Sequence, residues 1–347
     1  MKTAIFKTSL KENEKRLPIH PEHISQIPSH VLSSLIFECN YGIEYGYEDS
    51  DLEKIGCSFL DRQNLFKVAD ILILPKPTHT DLTYMKRGQT LCGWNHAVQN
   101  QEISDLAIKN KLTLISWENM YENGINGKKN HLHIFKKNNE IAGYAGVIHY
   151  LQLEGLDGVY GYPKKAIILS YGSVSRGSII ALKGRGYNDI TVYTKRKTHL
   201  IENKIADVKY KCFFIDNFLK DLRESDIIVN GILQDVSNPI MFTKGTENIK
   251  DNAIILDISC DEGLGFTFAK PTTFEKPIIE IERGIKYYSV DHTPSYLWRT
   301  ATQEISKTLL KYIEYIINKN DWIKCPTIFD SIDILDGEII NPNIIKK

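Results

Sequence analysis

Residues 166–186, AIILSYGSVSRGSIIALKGRG, run from a short apolar stretch through a turn of small residues into a segment of helical composition. A dinucleotide pyrophosphate needs this order, because N–H groups at a helix start point at the anion and the helix dipole adds to the attraction. Ser170, Gly172, Ser173, Val174 and Gly177 are the candidate cofactor contacts; Ser170 stands where the first glycine of a G-x-G turn would be, and the spacing is wider than G-x-G-x-x-G. An ordinary strand-to-helix turn, with Gly and Ser present for backbone reasons, is the competing reading. The next apolar run ends in Tyr193-Thr194-Lys195-Arg196-Lys197. An acidic residue there would take the ribose 2′-hydroxyl of NAD, whereas a hydroxyl followed by cations suits a 2′-phosphate, so Thr194, Lys195 and Arg196 point to NADPH rather than NADH. A solvated basic turn competes.

Three further stretches have the residue types of a reaction centre: KENEKRLPIHP (11–21), ILPKP (73–77) and GWNHA (93–97). Each lies at the end of an apolar run or in the loop after it, where α/β lobes present functional groups. His131 and His133 share one side of an extended segment, but no third ligand accompanies them, and a surface hairpin is the simpler expectation.

The elements that must hold these groups follow from periodicity. AIILS (166–170), DITVY (189–193), SDIIVN (225–230), NAIILDIS (252–259) and IKYYSVD (285–291) are short apolar runs separated by helix-length segments, as in βαβ units of a doubly wound sheet. AIFKT (4–8), LIFECN (35–40), DILILPK (70–76), QTLCGW (89–94) and LTLISWE (112–118) repeat the style less regularly and predict a second α/β lobe. Ile141, Ala145, Ile148 and Leu151 predict a connecting helix over 140–155, and Ile305, Leu309, Tyr312, Ile313 and Ile316 another that begins at a Thr300/Gln303 capping box. The expected fold is thus α/β, two Rossmann-like doubly wound lobes with a cleft between them, the first completed by the C-terminal helix. The expected domains are a substrate lobe at 1–137, a dinucleotide-binding domain at 138–292, and a return helix and tail at 293–347.

The 347 residues suffice for two cores. Lys+Arg and Asp+Glu are both 43, so no net charge draws the chain to nucleic acid or an anionic membrane; small molecules or further copies of itself are the expected partners. The six cysteines form no CxxC pair and no zinc-ligand spacing, and no stretch of about 18 apolar residues occurs, which suits a reduced, cytoplasmic protein without a metal.

With DISCDEGLG (257–265), KPTTFEKP (270–277) and VDHTPS (290–295), the three stretches of the first lobe resemble, in order, the alanine dehydrogenase family, which includes the saccharopine dehydrogenases. The resemblance runs from about residue 3 to 318 and implies an oxidoreductase of amino-acid metabolism and a homo-oligomer. By its motifs, Arg16 matches an arginine that holds a substrate carboxylate, Lys76 and His96 match active-site residues, and Asp261 matches an aspartate near nicotinamide and substrate. Glu118 stands where members carry a glutamate. Pro77 departs from the glutamate that often follows the lysine, and Ser170 and Thr194 depart from the glycine loop and acidic residue of alanine dehydrogenases. Y-G-S-V-S-R-G and VDHTPSYLWRTAT look more like an opine-forming branch that uses NADPH to join pyruvate to the side-chain amine of ornithine or lysine.

That chemistry needs a carboxylate clamp and a proton shuttle. A guanidinium fork at Arg16 suits the clamp, an imidazole at His96 the shuttle, and Lys76 an oxo group or carboxylate. Asp261 would anchor the amine and Glu118 would set the protonation of Lys76 or His96. The plain alternatives are an Arg16 pair with Glu12 or Glu14, a surface turn at Lys76, a packed His96 beside Trp94, and loop charges at Asp261 and Glu118. At the level of function the alternatives are alanine dehydrogenase using ammonia, a saccharopine-type reaction with 2-oxoglutarate, and a silent NADP-binding sensor.

Overall fold

A computed structural model describes residues 1–123, 129–213, 217–234 and 239–344. Its contacts divide the chain into one unit of residues 1–136 with 298–347, and a second of residues 137–297. The strands, in chain order, are β1 Thr3–Ile5, β2 Leu35–Glu38, β3 Phe59–Leu60, β4 Ile71–Ile73, β5 Thr90–Gly93, β6 Thr113–Ser116, β7 Tyr121–Asn123 and β8 Lys129–His133. They continue with β9 Lys165–Leu169, β10 Asp189–Thr194, β11 Lys209–Cys212, β12 Ile227–Asn230, β13 Ile254–Asp257, β14 Ile278–Glu280, β15 Lys286–Tyr288, β16 Ile332–Leu335 and β17 Glu338–Ile339. Four helices matter below: α1 Gln101–Lys109, α2 Lys136–Leu153, α3 Ser173–Gly184 and α4 Trp298–Leu309.

The sheet of the first unit has the order β17-β16-β6-β5-β4-β1-β2-β3. Its central strands are parallel and buried on both faces, which is why their sequences are apolar without alternation. Ile5, Ile73, Trp117 and Ile305 belong to the core on one face; Phe6, Leu74, Leu91 and Leu114 belong to the core on the other. The C-terminal tail, which carries no periodicity, supplies β16 antiparallel to β6. Helix α4 begins at Trp298, straight after a 3-10 turn over Thr293–Leu297, so Thr300 and Gln303 lie inside the helix and form no capping box. Pro294 fits the start of such a turn, and starts the winding earlier. Ile305, Leu309, Ile313 and Ile316 do join one core, although the helix stops at Leu309 and resumes at Ile313.

In the second unit the order is β11-β10-β9-β12-β13-β15-β14, with only β14 antiparallel. The first six strands have the 3-2-1-4-5-6 arrangement of a doubly wound nucleotide-binding sheet, whose order reverses between β9 and β12. Of the expected face of α2, Ala145 and Leu151 are buried and Ile141 and Ile148 half-buried, and Gly143, Gly146, Val147 and Tyr150 extend the buried surface. Counting apolar side chains misses glycines, and these make the closest contacts: a Cβ at Gly143 would lie 1.9 Å from the Val174 carbonyl oxygen on α3. No helix among the described residues is long and apolar enough to cross a membrane.

Candidate active site

Four of the expected residues are carried by loops at the carboxyl ends of β1, β4, β5 and β6, on one sheet. Arg16 is buried, and Glu14 accepts from its Nε at 2.8 Å and from its Nη2 on the second carboxylate oxygen. The guanidinium also lies 4.8 Å from the ring centroid of Trp94, which packs edge-on against Trp117. A bidentate partner and an aromatic face together hold the plane of the fork still. Glu14, one of the two plain alternatives as partner, therefore fixes Arg16's orientation.

Lys76 is half-buried between two prolines, whose fixed φ stiffens the loop. The carbonyl of Pro75 accepts from Trp94 N at 2.8 Å, tying this loop to the one that carries His96. Gly93 is required for that approach, because a Cβ there would meet the Leu74 carbonyl oxygen at 1.9 Å. Three residues on, His96 has φ 50°, a left-handed conformation uncommon outside glycine. Its N–H donates to Oε1 of Glu118 at 2.6 Å, and its carbonyl accepts from Gln99 and Asn100.

Glu118 sits in the 3-10 turn that follows β6. Burial first, and then the charge of Asp333 on β16, push its carboxyl up to about 8; backbone N–H groups, including that of His96, and the Lys76 charge pull less strongly the other way. At neutral pH this carboxyl is mostly protonated. His133 is pushed down to about 4 by burial. Its Nδ1 accepts from Phe135 N at 3.0 Å and its Nε2 faces the Glu118 carbonyl at 3.2 Å, which assigns the Nε2–H tautomer. His133 is thus a support of the Glu118 turn in the β7–β8 hairpin rather than a surface residue; the side chain of His131 lies outside the described residues. No group of metal-ligating side chains occurs among the described residues.

Asp261 belongs to the second unit, in the loop after β13, and burial, with the Asp257 charge second, raises it to about 6. Asp257 itself is fully buried and accepts from Asn230, Ser259 and Tyr287, bracing the loops after β12 and β13.

The turn after β9 has the properties of a phosphate cradle. Ser170 has φ 84°, the region glycine favours, so its backbone takes the glycine conformation while its hydroxyl bonds Ser175 Oγ at 2.7 Å and the Gly231 carbonyl at 3.1 Å. Gly172 is the N-cap of α3, no side chain caps that helix end, and a Cβ at Gly172 would find only Ser170 Oγ at 3.9 Å. Ser173 and Val174 begin the helix. An uncapped N-terminus of a 12-residue helix at the switch point of the sheet fits a dinucleotide. The bare Cα of Gly177 packs against α2, where a Cβ would lie 1.8 Å from the Glu140 carbonyl oxygen.

At the end of β10, Thr194 is buried with its hydroxyl accepting from Arg196 N, while Lys195 and Arg196 are exposed. Arg196 Nη2 reaches the Tyr171 carbonyl at 3.0 Å, so the cation is held beside the phosphate turn. Arg176, which motif reading passes over, bonds the Tyr171 hydroxyl at 2.8 Å from α3.

The N-terminal domain of the alanine dehydrogenase/PNT family matches residues 5–142, and its C-terminal domain matches residues 160–342. The chain belongs to this family. It is an NAD(P)-dependent oxidoreductase. It is 28% identical to the N(5)-(carboxyethyl)ornithine synthase of Clostridium botulinum, over 87% of this chain and 90% of that one, and 28% identical to the enzyme of the same name from Lactococcus lactis subsp. lactis, over 90% and 95%. With the alanine dehydrogenase of Mycolicibacterium smegmatis it shares 20% identity over 98% and 95%. A solved L-alanine dehydrogenase superposes with a TM-score of 0.80 at 18% identity, covering 99% of this chain and 98% of that one, which shows the shared two-domain α/β fold.

Proposed function

We propose that the protein is an NADPH-dependent opine-type enzyme that condenses pyruvate with the side-chain amine of ornithine or lysine. The arrangement that supports this most is the cluster Arg16, Lys76, His96 and Glu118, in which a fixed guanidinium, a cation, an imidazole and a protonated carboxyl share one sheet end. Residues 1–136 with 298–347 form the substrate part in this reading, and residues 137–297 the cofactor part.

Ser170, Gly172, Ser173 and Val174 would hold the pyrophosphate, with Thr194, Lys195 and Arg196 on the 2′-phosphate, and Gly177 allowing the helix to pack. A nicotinamide bound there would supply the hydride that reduces an imine. Arg16 binds the carboxylate of the 2-oxo acid with N–H donors of its fork, whose plane the Glu14 clamp already orients. Lys76 places a positive charge at the oxo group, so that charge developing as the amine adds is stabilised. His96 gives a proton to the carbinolamine oxygen, which leaves as water, and takes one from the nitrogen. Glu118 holds His96 by its backbone N–H. Asp261 receives the ammonium of the incoming amino acid.

Following NADPH absorbance in purified protein with pyruvate plus ornithine, lysine or ammonia tests the reading, with 2-oxoglutarate in parallel. Turnover is expected with pyruvate and ornithine or lysine; turnover with ammonia alone would make the protein an alanine dehydrogenase, and none with any amine would remove the proposal. Arg196→Ala is expected to raise KM for NADPH about tenfold or more while leaving that for NADH nearly unchanged, and equal effects would sink the 2′-phosphate assignment.

A further inference from the structure

The C-terminal tail does more than widen a sheet. Strand β16 lies antiparallel to β6 and brings Asp333, which is 2% exposed, beside the turn that carries Glu118. Asn119, the residue after Glu118, donates from Nδ2 to Asp333 Oδ1 at 2.9 Å, and Asn341 Nδ2 donates to the same oxygen at 2.7 Å. Ser116, at the end of β6, also favours the charged form of this carboxyl. Ser116 in turn accepts from Asn95 Nδ2 at 3.1 Å, next to His96. Asp333 and Glu118 each retain one buried oxygen, Oδ2 and Oε2, without a hydrogen-bond partner among the described residues.

The buried Asp333 and the half-buried Glu118, whose Oε2 is covered, repel each other as anions within this hydrogen-bonded frame, which favours a proton on one of them. Burial raises the Asp333 carboxyl too, but Asn119, Asn341 and Ser116 pull it the other way by favouring the charged form. We propose that Asp333 is a positioning residue that governs the proton on Glu118: its charge keeps the Glu118 carboxyl neutral, so that this group meets the His96 loop as an acid rather than as an anion. The other groups facing Glu118 are Lys76 from the loop after β4, the His96 backbone after β5, Tyr121 on β7 and the neutral His133 on β8. Of these only Lys76 opposes Asp333 electrostatically. The use of that proton in turnover rests on the function proposed above; the coupling of the two carboxyls does not.

The test is a pH titration of the full-length protein labelled with 13C at the glutamate side-chain carboxyls, with the Glu118 resonance assigned by its loss in Glu118→Gln. In Asp333→Asn the Glu118 midpoint is expected to fall by about one pH unit or more, and Asp333→Glu, which restores the charge, is expected to restore it. Should Asp333→Asn fail to fold, Asn341→Ala, which withdraws one donor from the same carboxyl, is expected to lower the midpoint in the same direction by less. An unchanged Glu118 midpoint in the folded variant overturns the proposal. The alkaline limb of kcat/KM is expected to move down with the midpoint in Asp333→Asn, and not in the Glu118→Gln background. A midpoint that falls while the limb stays put would support the coupling and count against Glu118's part in the proposed reaction.

Discussion

The two units share an architecture and differ in what they present at the carboxyl ends of their strands. The first presents ionisable side chains: a clamped guanidinium at Arg16, the half-buried Lys76, and Glu118 bonded to the backbone of His96. The second presents backbone and small residues: Ser170 in a glycine conformation, an open Gly172, and an uncapped helix end. The difference teaches where each unit is vulnerable. Side-chain chemistry in a low-dielectric setting is sensitive to charge and pH, whereas a backbone cradle is sensitive to added volume.

The largest expected effect lies on the first side. His96→Ala should cut kcat by a hundredfold or more while NADPH affinity, measured by fluorescence titration, stays within about twofold; a matching loss of affinity would erase the division of labour. Next comes the pH response of stability. Glu118 keeps its proton in the fold up to about 8 but would lose it near 4.5 in the unfolded chain, so stability falls as pH rises through that window. Glu118→Gln removes this fall, and its melting temperature should rise relative to the parent by several degrees between pH 5 and pH 8. No pH dependence in the difference would mean that the carboxyl is ionised after all.

On the second side, Gly177→Ala should cost about 2 kcal/mol in denaturant unfolding, because the new Cβ meets the Glu140 carbonyl, a backbone atom. Gly172→Ala should cost little stability, since its Cβ finds open space, and should instead weaken cofactor binding. A reversal of the two would exchange the roles assigned to these glycines. The smallest effect should come from Asp261→Asn. Its carboxyl is raised only to about 6, so the gain in stability relative to the parent builds up between about pH 4 and pH 6 and is flat above.

Much of the fold is legible along the chain, because parallel strands buried on both faces must be apolar throughout, and ten such runs mark ten strands of the two sheets. Strand β11 is not legible: KYKC is polar at every second or third position, as an edge strand with a solvated side can be. Strand β16 is four residues inside an Ile-rich tail, and only its pairing with β6 defines it. The face of α2 is read only in part from apolar counting, which finds Ala145 and Leu151 but not the glycines that make its closest contacts. Of the candidate site, Arg16, Lys76 and His96 stand out as charged or titratable residues at strand ends. Glu14 is visible as a neighbour two positions away, but Asp333 carries no local signal and His133 reads locally only as part of a surface hairpin, since what gives them meaning is a partner remote in sequence.

What the sequence determines by itself is the set of short-range facts: which runs are buried strands, where a helix N-terminus follows a small-residue turn, and that β10 ends in Thr194 and is followed by Lys195 and Arg196 rather than by an acid. These follow from side-chain chemistry and from periods of two and 3.6 residues, which need no knowledge of the rest of the chain. The tertiary structure alone decides that burial and Asp333 raise the Glu118 carboxyl, that His96 is kept in a left-handed conformation, and that Gly177 lies close against α2. The physical reason is that desolvation, charge coupling and close contact depend on distance in space, and folding brings Asp333 to a turn more than two hundred residues earlier in the chain.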